Sequence, residues 1–402
     1  MNSKEQDERL IAWLRLTYLK GVGPILVKRL LAVFGSPDAI LNAHPANLAA
    51  VEGIGTIKAN QLVTSAPASH AKAVEALARV REHGFSILPL DDEGYPPGLK
   101  TVDDPPIVLF VRGGILPADA VAVGMVGARK CTFYGREQAQ RLGMQLAQSG
   151  LTIVSGGARG IDTCSHLGAL QAGGRTIVVT GCGLLNTYPP ENDGLYERIV
   201  KEGRGAIVSE LPLDAPPSAE NFPPRNRIIA GMSLGIVVVE ANLQSGSLIT
   251  ARLAAADYGR EVFALPGRVD SPASSGTHHL IKTAAAHLVE SADDILGHLG
   301  DVGRLLSQAN AARKRETTAP QQPPAAETLF ENHAAPVALA KAHPSLTSVQ
   351  EKIVAAIGKH PATVDDIVDA AALPAQVVVA ELTLLQIHGM VRRHTNNRFV
   401  TT

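Results

Sequence analysis

Hydrophobic positions along the middle of the chain fall into short, nearly unbroken apolar runs. They lie at Val121–Val126, Leu151–Val154, Thr176–Thr180, Ala206–Val208, Leu234–Val239 and Glu261–Leu265. Helical periodicity fills most of the intervals, which are roughly 25 to 30 residues long, so the pattern predicts repeated βαβ units and a parallel sheet. Ala139, Leu142 and Leu146 fall on one face of the first such helix and Gly150 stops it. Strands without a polar alternate are buried on both faces, which accounts for the density of Val and Ile. Upstream, the pattern predicts a helix from about Ser69 to His83, a strand at Phe85–Leu88 and a second apolar run at Ile107–Val111.

Both ends of the chain depart from this rhythm. Leu19-Lys20-Gly21-Val22-Gly23 recurs 32 residues later as Val51-Glu52-Gly53-Ile54-Gly55, each copy leading into a helical pattern. This is a tandem helix-hairpin-helix, SAM-like pattern. Its glycines either turn backbone amides toward a phosphate or only let short helices pack closely. From about Ser307 to His343 periodicity lapses among Pro320, Pro323, Pro324 and Pro336, which reads as a flexible linker. Beyond it, Val349–Ile357, Val364–Ala371 and Ala375–His388 read as three helices, and Met390–Arg393 with Arg398–Val400 as a hairpin, together a winged helix. The expected division is therefore a helical domain over 1–68, a sheet domain over 69–300, a linker over 301–345 and a winged helix over 346–402. A length of 402 residues accommodates two to three domains of roughly 150 residues.

Charge removes several function classes. Lys+Arg 37 against Asp+Glu 38 leaves a net charge of -1, so any polyanion site must be a local cluster. No apolar run reaches the ~18 residues of a membrane span and Met1–Arg9 is polar, so a cytoplasmic protein without membrane insertion is expected. Cys131, Cys164 and Cys182 have no CxxC spacing, which argues against a disulfide scaffold or a zinc site.

In an open parallel sheet, ligands bind where the carboxyl ends of strands feed loops into helix N-termini. Those loops here carry Gly127 and Arg129-Lys130, Gly156-Gly157 and Arg159, Arg225 and Arg227, and Arg268. The glycines admit close approach and the arginines offer positive charge, so these are the candidate phosphate-binding residues. No GxxxxGK[ST] occurs, and Gly181-Cys182-Gly183 lacks the third glycine of a dinucleotide fingerprint, so no cofactor is expected. Phe133 and Tyr134 are candidates for base stacking. Tyr188-Pro189-Pro190 and Phe222-Pro223-Pro224 read as stiff loop packing. Asp162, Glu210 and Glu240 follow strand ends closely enough to serve hydrolysis of a glycosidic bond, so the alternative function is a Rossmann-like nucleotide-derivative hydrolase with Glu210 or Glu240 as the working carboxylate. Their simpler reading is as ion pairs or caps. His166, one turn after Asp162, is placed to bond it.

Gly127-Ala128-Arg129 with Thr132 and Gly135, Ser155 through Asp162 with His166, Phe222 through Ile229, and Glu240-Ala241 with Ser245 through Ala251 together resemble the DNA-processing protein A family (DprA, also called Smf). The resemblance covers about residues 85 to 295. It implies an extended Rossmann-like domain that forms a homodimer, binds and protects single-stranded DNA, and helps load the RecA recombinase during natural transformation, without enzymatic turnover. The family's phosphate-contacting arginine in the first loop matches Arg129, and its basic residue in the second loop matches Arg159. Ala128 stands where many members carry Ser or Thr, which removes one hydroxyl. The third helix of the winged-helix candidate has no Lys or Arg, so partner docking is expected there rather than duplex reading.

Overall fold

In the computed structural model of the chain, the described residues are 3–306, 346–358, 361–387, 390–394 and 398–401. They fall into two compact units, residues 1–300 and 301–402. The first unit begins with helices α1 (Ser3–Thr17), α2 (Pro24–Phe34), α3 (Pro37–Leu41), α4 (Pro45–Ala49) and α5 (Gly55–Glu82). Gly21 and Gly53, the equivalent glycines of the repeat, both adopt positive φ, 83° and 85°, which an L side chain resists. The repeat is thus realised as two like turns. The expected boundary at residue 68 is corrected, because α5 runs through it. Pro67 lies inside that helix, and its missing N–H is what makes the sequence look broken there. Trp13, Leu30 and Leu62 share one core with Val108, Phe110, Val178 and Ile207 of the sheet, so the helical segment is not separated from it.

The sheet has nine strands: β1 (Ser86–Pro89), β2 (Val108–Gly113), β3 (Ala122–Val126), β4 (Thr152–Ser155), β5 (Thr176–Val179), β6 (Gly205–Ser209), β7 (Gly235–Val238), β8 (Glu261–Ala264) and β9 (His287–Leu288). Their order is β1-β2-β6-β5-β4-β3-β7-β8-β9. From β6 to β9 all neighbours are parallel. The β1–β2 and β2–β6 pairs are antiparallel, so the sheet is mixed rather than wholly parallel. Helices α6 (Pro97–Lys100), α7 (Phe133–Gln148), α8 (Ile161–Gln171), α9 (Asp193–Lys201), α10 (Phe222–Met232), α11 (Ser247–Arg252), α12 (Ser275–Lys282) and α13 (Ala292–His298) complete the unit. Alternate strand residues enter opposite cores. Val178 and Ile207 pack with Leu195 and Ile199 of α9, whereas Ile177, Val179 and Val208 pack with Ile228, Ile229 and Met232 of α10. Strands covered on both faces have no polar alternate to show. Strands β4 to β6 lie on one side of β3 and β7 to β9 on the other. The crevice of a doubly wound sheet opens at that reversal, above the ends of β3 and β7.

The second unit contains α14 (Ser348–Ile357), α15 (Val364–Ala371), α16 (Ala375–Ile387) and the hairpin β10 (Val391–His394) with β11 (Arg398–Thr401). Ile353, Ile367, Val378, Leu385 and Phe399 form its core. Residues 301–306, expected as the start of the linker, are helical, and Leu305 joins that core. The remainder of the expected linker, 307–345, and His388 lie outside the described residues. On α16 the one acidic residue, Glu381, is buried and accepts from Gln350 Nε2 at 2.7 Å. Among the described residues no single helix is long and apolar enough to cross a membrane.

The amino edge of the sheet is held by one carboxylate. Asp119, in the turn before β3, accepts from Leu116 N (2.8 Å), Thr152 Oγ1 (2.8 Å), Arg175 Nε (2.7 Å) and Arg175 Nη2 (2.8 Å), tying β3 to β4 and β5. Removing one partner of such a pair strands the other charge. Asp119→Ala is expected to lower the unfolding free energy by about 3 to 5 kcal/mol, measured by urea denaturation. A loss below ~1 kcal/mol, the range of an exposed pair, would contradict the clamp.

Candidate functional site

At the carboxyl edge, β3 runs into Gly127 and β7 into Glu240. A side chain at Gly127 would begin 2.6 Å from Ile161 Cγ1 and 2.9 Å from the Glu240 carbonyl oxygen. Only a glycine lets the two loops lie this close. The Ala128 amide donates to that same oxygen at 2.7 Å. The buried Glu240 carboxylate accepts from Thr132 N at 2.8 Å and from the Thr132 hydroxyl. Thr132 in turn caps α7 by accepting from Gly135 N at 3.1 Å. Beneath this loop, Gly160 at φ 78° sits against the carbonyls of Ala128 and Arg129. The result is a braced loop with Arg129 and Lys130 exposed at its tip.

The loop forms one wall of a cleft of about 640 Å³ over the topological reversal. Tyr188, Phe222, Asn226 and the 242–250 segment line the remainder. The Arg129 guanidinium lies 4.8 Å from the centre of the Phe222 ring, within the range of a cation–π contact. The Tyr188 ring is 5.4 Å from Phe222, inclined at 40°. An aromatic shelf with a cation over it suits a flat base joined to a phosphate. Arg225 supports the floor: it is 5% exposed and donates to the carbonyls of Gly156, at 2.5 Å, and Val179. A smaller cleft of about 320 Å³ lies beside it, also walled by Arg129 and Lys130, and lined by Arg159.

Comparison with known proteins agrees with this architecture. The family model for DNA recombination-mediator protein A matches residues 86–300. A SAM-like helix-hairpin-helix tandem matches 14–66 and the DprA winged helix domain matches 337–397. Protein Smf of Synechocystis is 34% identical over 401 residues, spanning 96% of this chain and 97% of its own length. The DNA processing protein DprA of Bacillus subtilis is 40% identical over 244 residues, 60% of this chain and 81% of that one. Among solved structures, DprA from Streptococcus pneumoniae superposes with a TM-score of 0.61 at 32% identity, covering 71% of this chain and 97% of that one. The chain belongs to the DprA/Smf family.

Within this DprA/Smf fold the expected site residues separate. Gly127, Arg129, Lys130 and Arg225 line the main cleft, while Arg159 lines the smaller one. Gly156 and Gly157 are buried below, where Gly156 leaves room for the Arg225 guanidinium. Arg227 is corrected: it is 7% exposed and paired with Glu210 and, at 3.5 Å, Asp104, away from the cleft. Arg268 lines neither cleft; its guanidinium binds Asp270 at 3.0 and 2.9 Å. Arg159 pairs with Glu191 rather than Asp162. The aromatic residues divide between the surface and the cleft wall. Phe133 is 81% exposed outside the cleft and Tyr134 donates to the Pro266 carbonyl at 2.8 Å, whereas Tyr188 and Phe222, expected only to pack, form its wall. Asn226, in the second turn of α10, and the 242–250 segment, after β7, line it as well, and both fall in the blocks that carry the family resemblance.

The carboxylates are engaged internally. Glu240 braces the loop and Glu210 pairs with Arg227, burial pushing its carboxyl up while the guanidinium opposes that. Asp162 accepts from Ala158 N at 3.2 Å. Burial pushes its carboxyl up from 3.8 to about 6, with Arg225 opposing. His166 does not bond Asp162; its Nδ1 lies 2.6 Å from Thr176 Oγ1, and burial lowers the ring from 6.5 to about 3. These two titrations oppose one another. Between pH 4 and 6 the folded state holds one extra proton at Asp162, so stability falls as pH rises. It holds one fewer at His166, so stability falls as pH drops. Each slope is about 1.4 kcal/mol per pH unit, and they cancel. Asp162→Asn leaves the histidine slope alone. The variant is expected to lose stability relative to the unsubstituted protein by about 1.4 kcal/mol for each unit from pH 6 to 4, read by urea unfolding at several pH values. A difference that does not change with pH refutes the assignment.

Proposed function

We propose that this chain binds single-stranded DNA across the carboxyl edge of its sheet and works as a recombination mediator without turnover. In this reading a cytoplasmic homodimer protects incoming strands and helps load RecA on them during natural transformation. The single observation that carries the binding step is the cleft in which Arg129 overlies Phe222 beside Tyr188. A stacking face next to a cation grips any base and its phosphate, whereas reading a duplex needs side chains aimed at base edges in a groove. Family membership supports the mediator role. The internal engagement of Glu210 and Glu240 argues against the hydrolase alternative, since neither carboxylate is free to face a scissile bond.

The test is fluorescence anisotropy with a labelled oligothymidylate and a matched duplex. Single strands are expected to bind more tightly. Arg129→Ala and Phe222→Ala are each expected to weaken single-strand binding by about 1 to 3 kcal/mol, for a charge-assisted contact and a lost stacking face respectively. Arg129 is exposed, so its variant should keep the melting temperature. Log affinity should fall with log salt by about 0.7 for each phosphate neutralised. Affinity indifferent to salt and to both substitutions would overturn the site. Release of free base from nucleoside monophosphates would overturn the absence of turnover. RecA filament assembly on a strand already covered by a single-strand-binding protein, with and without this chain, tests the loading step.

A further inference from the structure

The smaller cleft is unevenly charged. Arg129, Lys130 and Arg136 contribute cations to its wall, and among the described residues none of the three is in an ion pair. Arg159, on the same wall, is held by Glu191: Arg159 Nη2 donates to Oε2 at 2.9 Å and Nε to Oε1. This two-point geometry is the one by which a guanidinium grips two oxygens of a phosphate. Glu191 is not a wandering surface side chain. Its neighbour Asn192 is buried and donates to the Gly157 carbonyl at 2.9 Å and to Thr163 Oγ1 at 2.8 Å. That anchor fixes the short turn Pro190–Asn192 and brings the carboxylate to the arginine. Both partners remain about half exposed, so the pair is weak and exchangeable.

Resting on the single-strand reading above, we infer that this cleft is a second phosphate station and that Glu191 is its gate, an anionic stand-in that a backbone phosphate displaces from Arg159. Arg129 walls both clefts, so a strand with a base in the larger one has its next phosphates directed over Arg129 toward Arg159. The gate sets how much of the available positive charge a strand can use.

The test is binding of a labelled oligothymidylate at low salt by the full chain and five variants. Glu191→Gln keeps the shape and removes the competing charge. It is expected to tighten binding about two- to fivefold, the range set by a half-exposed ion pair. Glu191→Ala should do the same, which guards against a residual amide contact. Arg159→Ala should weaken binding and reduce the salt slope by about 0.7. In the Arg159→Ala background, Glu191→Gln should give no gain. Glu202→Gln, which removes an exposed charge from the end of α9, controls for net charge and should leave affinity unchanged. The gate is overturned if the Glu191 variants bind no more tightly, if their gain survives loss of Arg159, or if Glu202→Gln matches it. Failure of the unsubstituted chain to bind, or indifference to Arg129→Ala, would instead bring down the single-strand reading on which the gate rests.

Discussion

The geometry of the carboxyl edge depends on the buried carboxylate of Glu240, which reaches from the end of β7 to the loop after β3 at the point where strand order reverses. A carboxylate removed from water is costly unless its oxygens are used. Here Thr132 supplies both its amide and its hydroxyl. The backbone of the same residue accepts from Ala128, so residues 128 and 132 are pinned from one place and the tip between them projects outward. Gly127 and Gly135 are the two places where a side chain would collide with Glu240. Loop conformation, the start of α7 and the exposure of Arg129 are therefore one constraint. Losing the carboxylate would release both the amide and the hydroxyl of Thr132 from their partner and free the loop.

The same economy governs the arginines. With no net positive charge to spend, the chain divides them between structure and surface. Arg175 and Arg225 close backbone carbonyls at opposite edges of the sheet, and Arg227 neutralises Glu210. Arg129, Lys130 and Arg136 stay at the surface around two adjoining clefts. A local field over a low-dielectric wall does not require a basic protein.

How much of this was legible in the sequence follows from what each signal reports. Apolar runs report burial, and they locate strands β1 to β8 to within about two residues, inside the usual boundary scatter. They do not report direction, so the antiparallel pairing of β2 with β1 and β6 was invisible, and the two-residue β9 was too short to register. Positive φ at Gly21 and Gly53 bears out the repeat because only glycine fits that backbone. Arg227 was misplaced for a geometric reason. Residues 222–227 read as a loop, in which Arg225 and Arg227 could both face a ligand. They are instead the first turns of α10, where two residues turn the helix by about 200°. One arginine therefore points to the cleft floor and the other to Glu210. The proline pairs after Tyr188 and Phe222 suggested stiff loop packing, and the two rings do pack together, as part of the cleft wall.

The two arginines that the proposed function brings to phosphates both have partners within the protein, Arg129 a ring and Arg159 a carboxylate. Each contact is weak: about 0.5 to 1 kcal/mol for an exposed cation–π pair and less than about 1 for an exposed ion pair. Both side chains are thus held near their working positions at small cost, and part of the rotamer entropy of ordering a long side chain is met before any ligand arrives. Under the proposed function a base entering the larger cleft takes the face of Phe222, and Arg129 moves from the ring to the phosphate beside it. The exchange replaces one stacked partner with another and adds a charge-assisted contact, and no step in it depends on which base is present. A site built this way gains affinity from each nucleotide it covers and discriminates by strandedness, because a base already paired and stacked in a duplex has no free face to offer the ring.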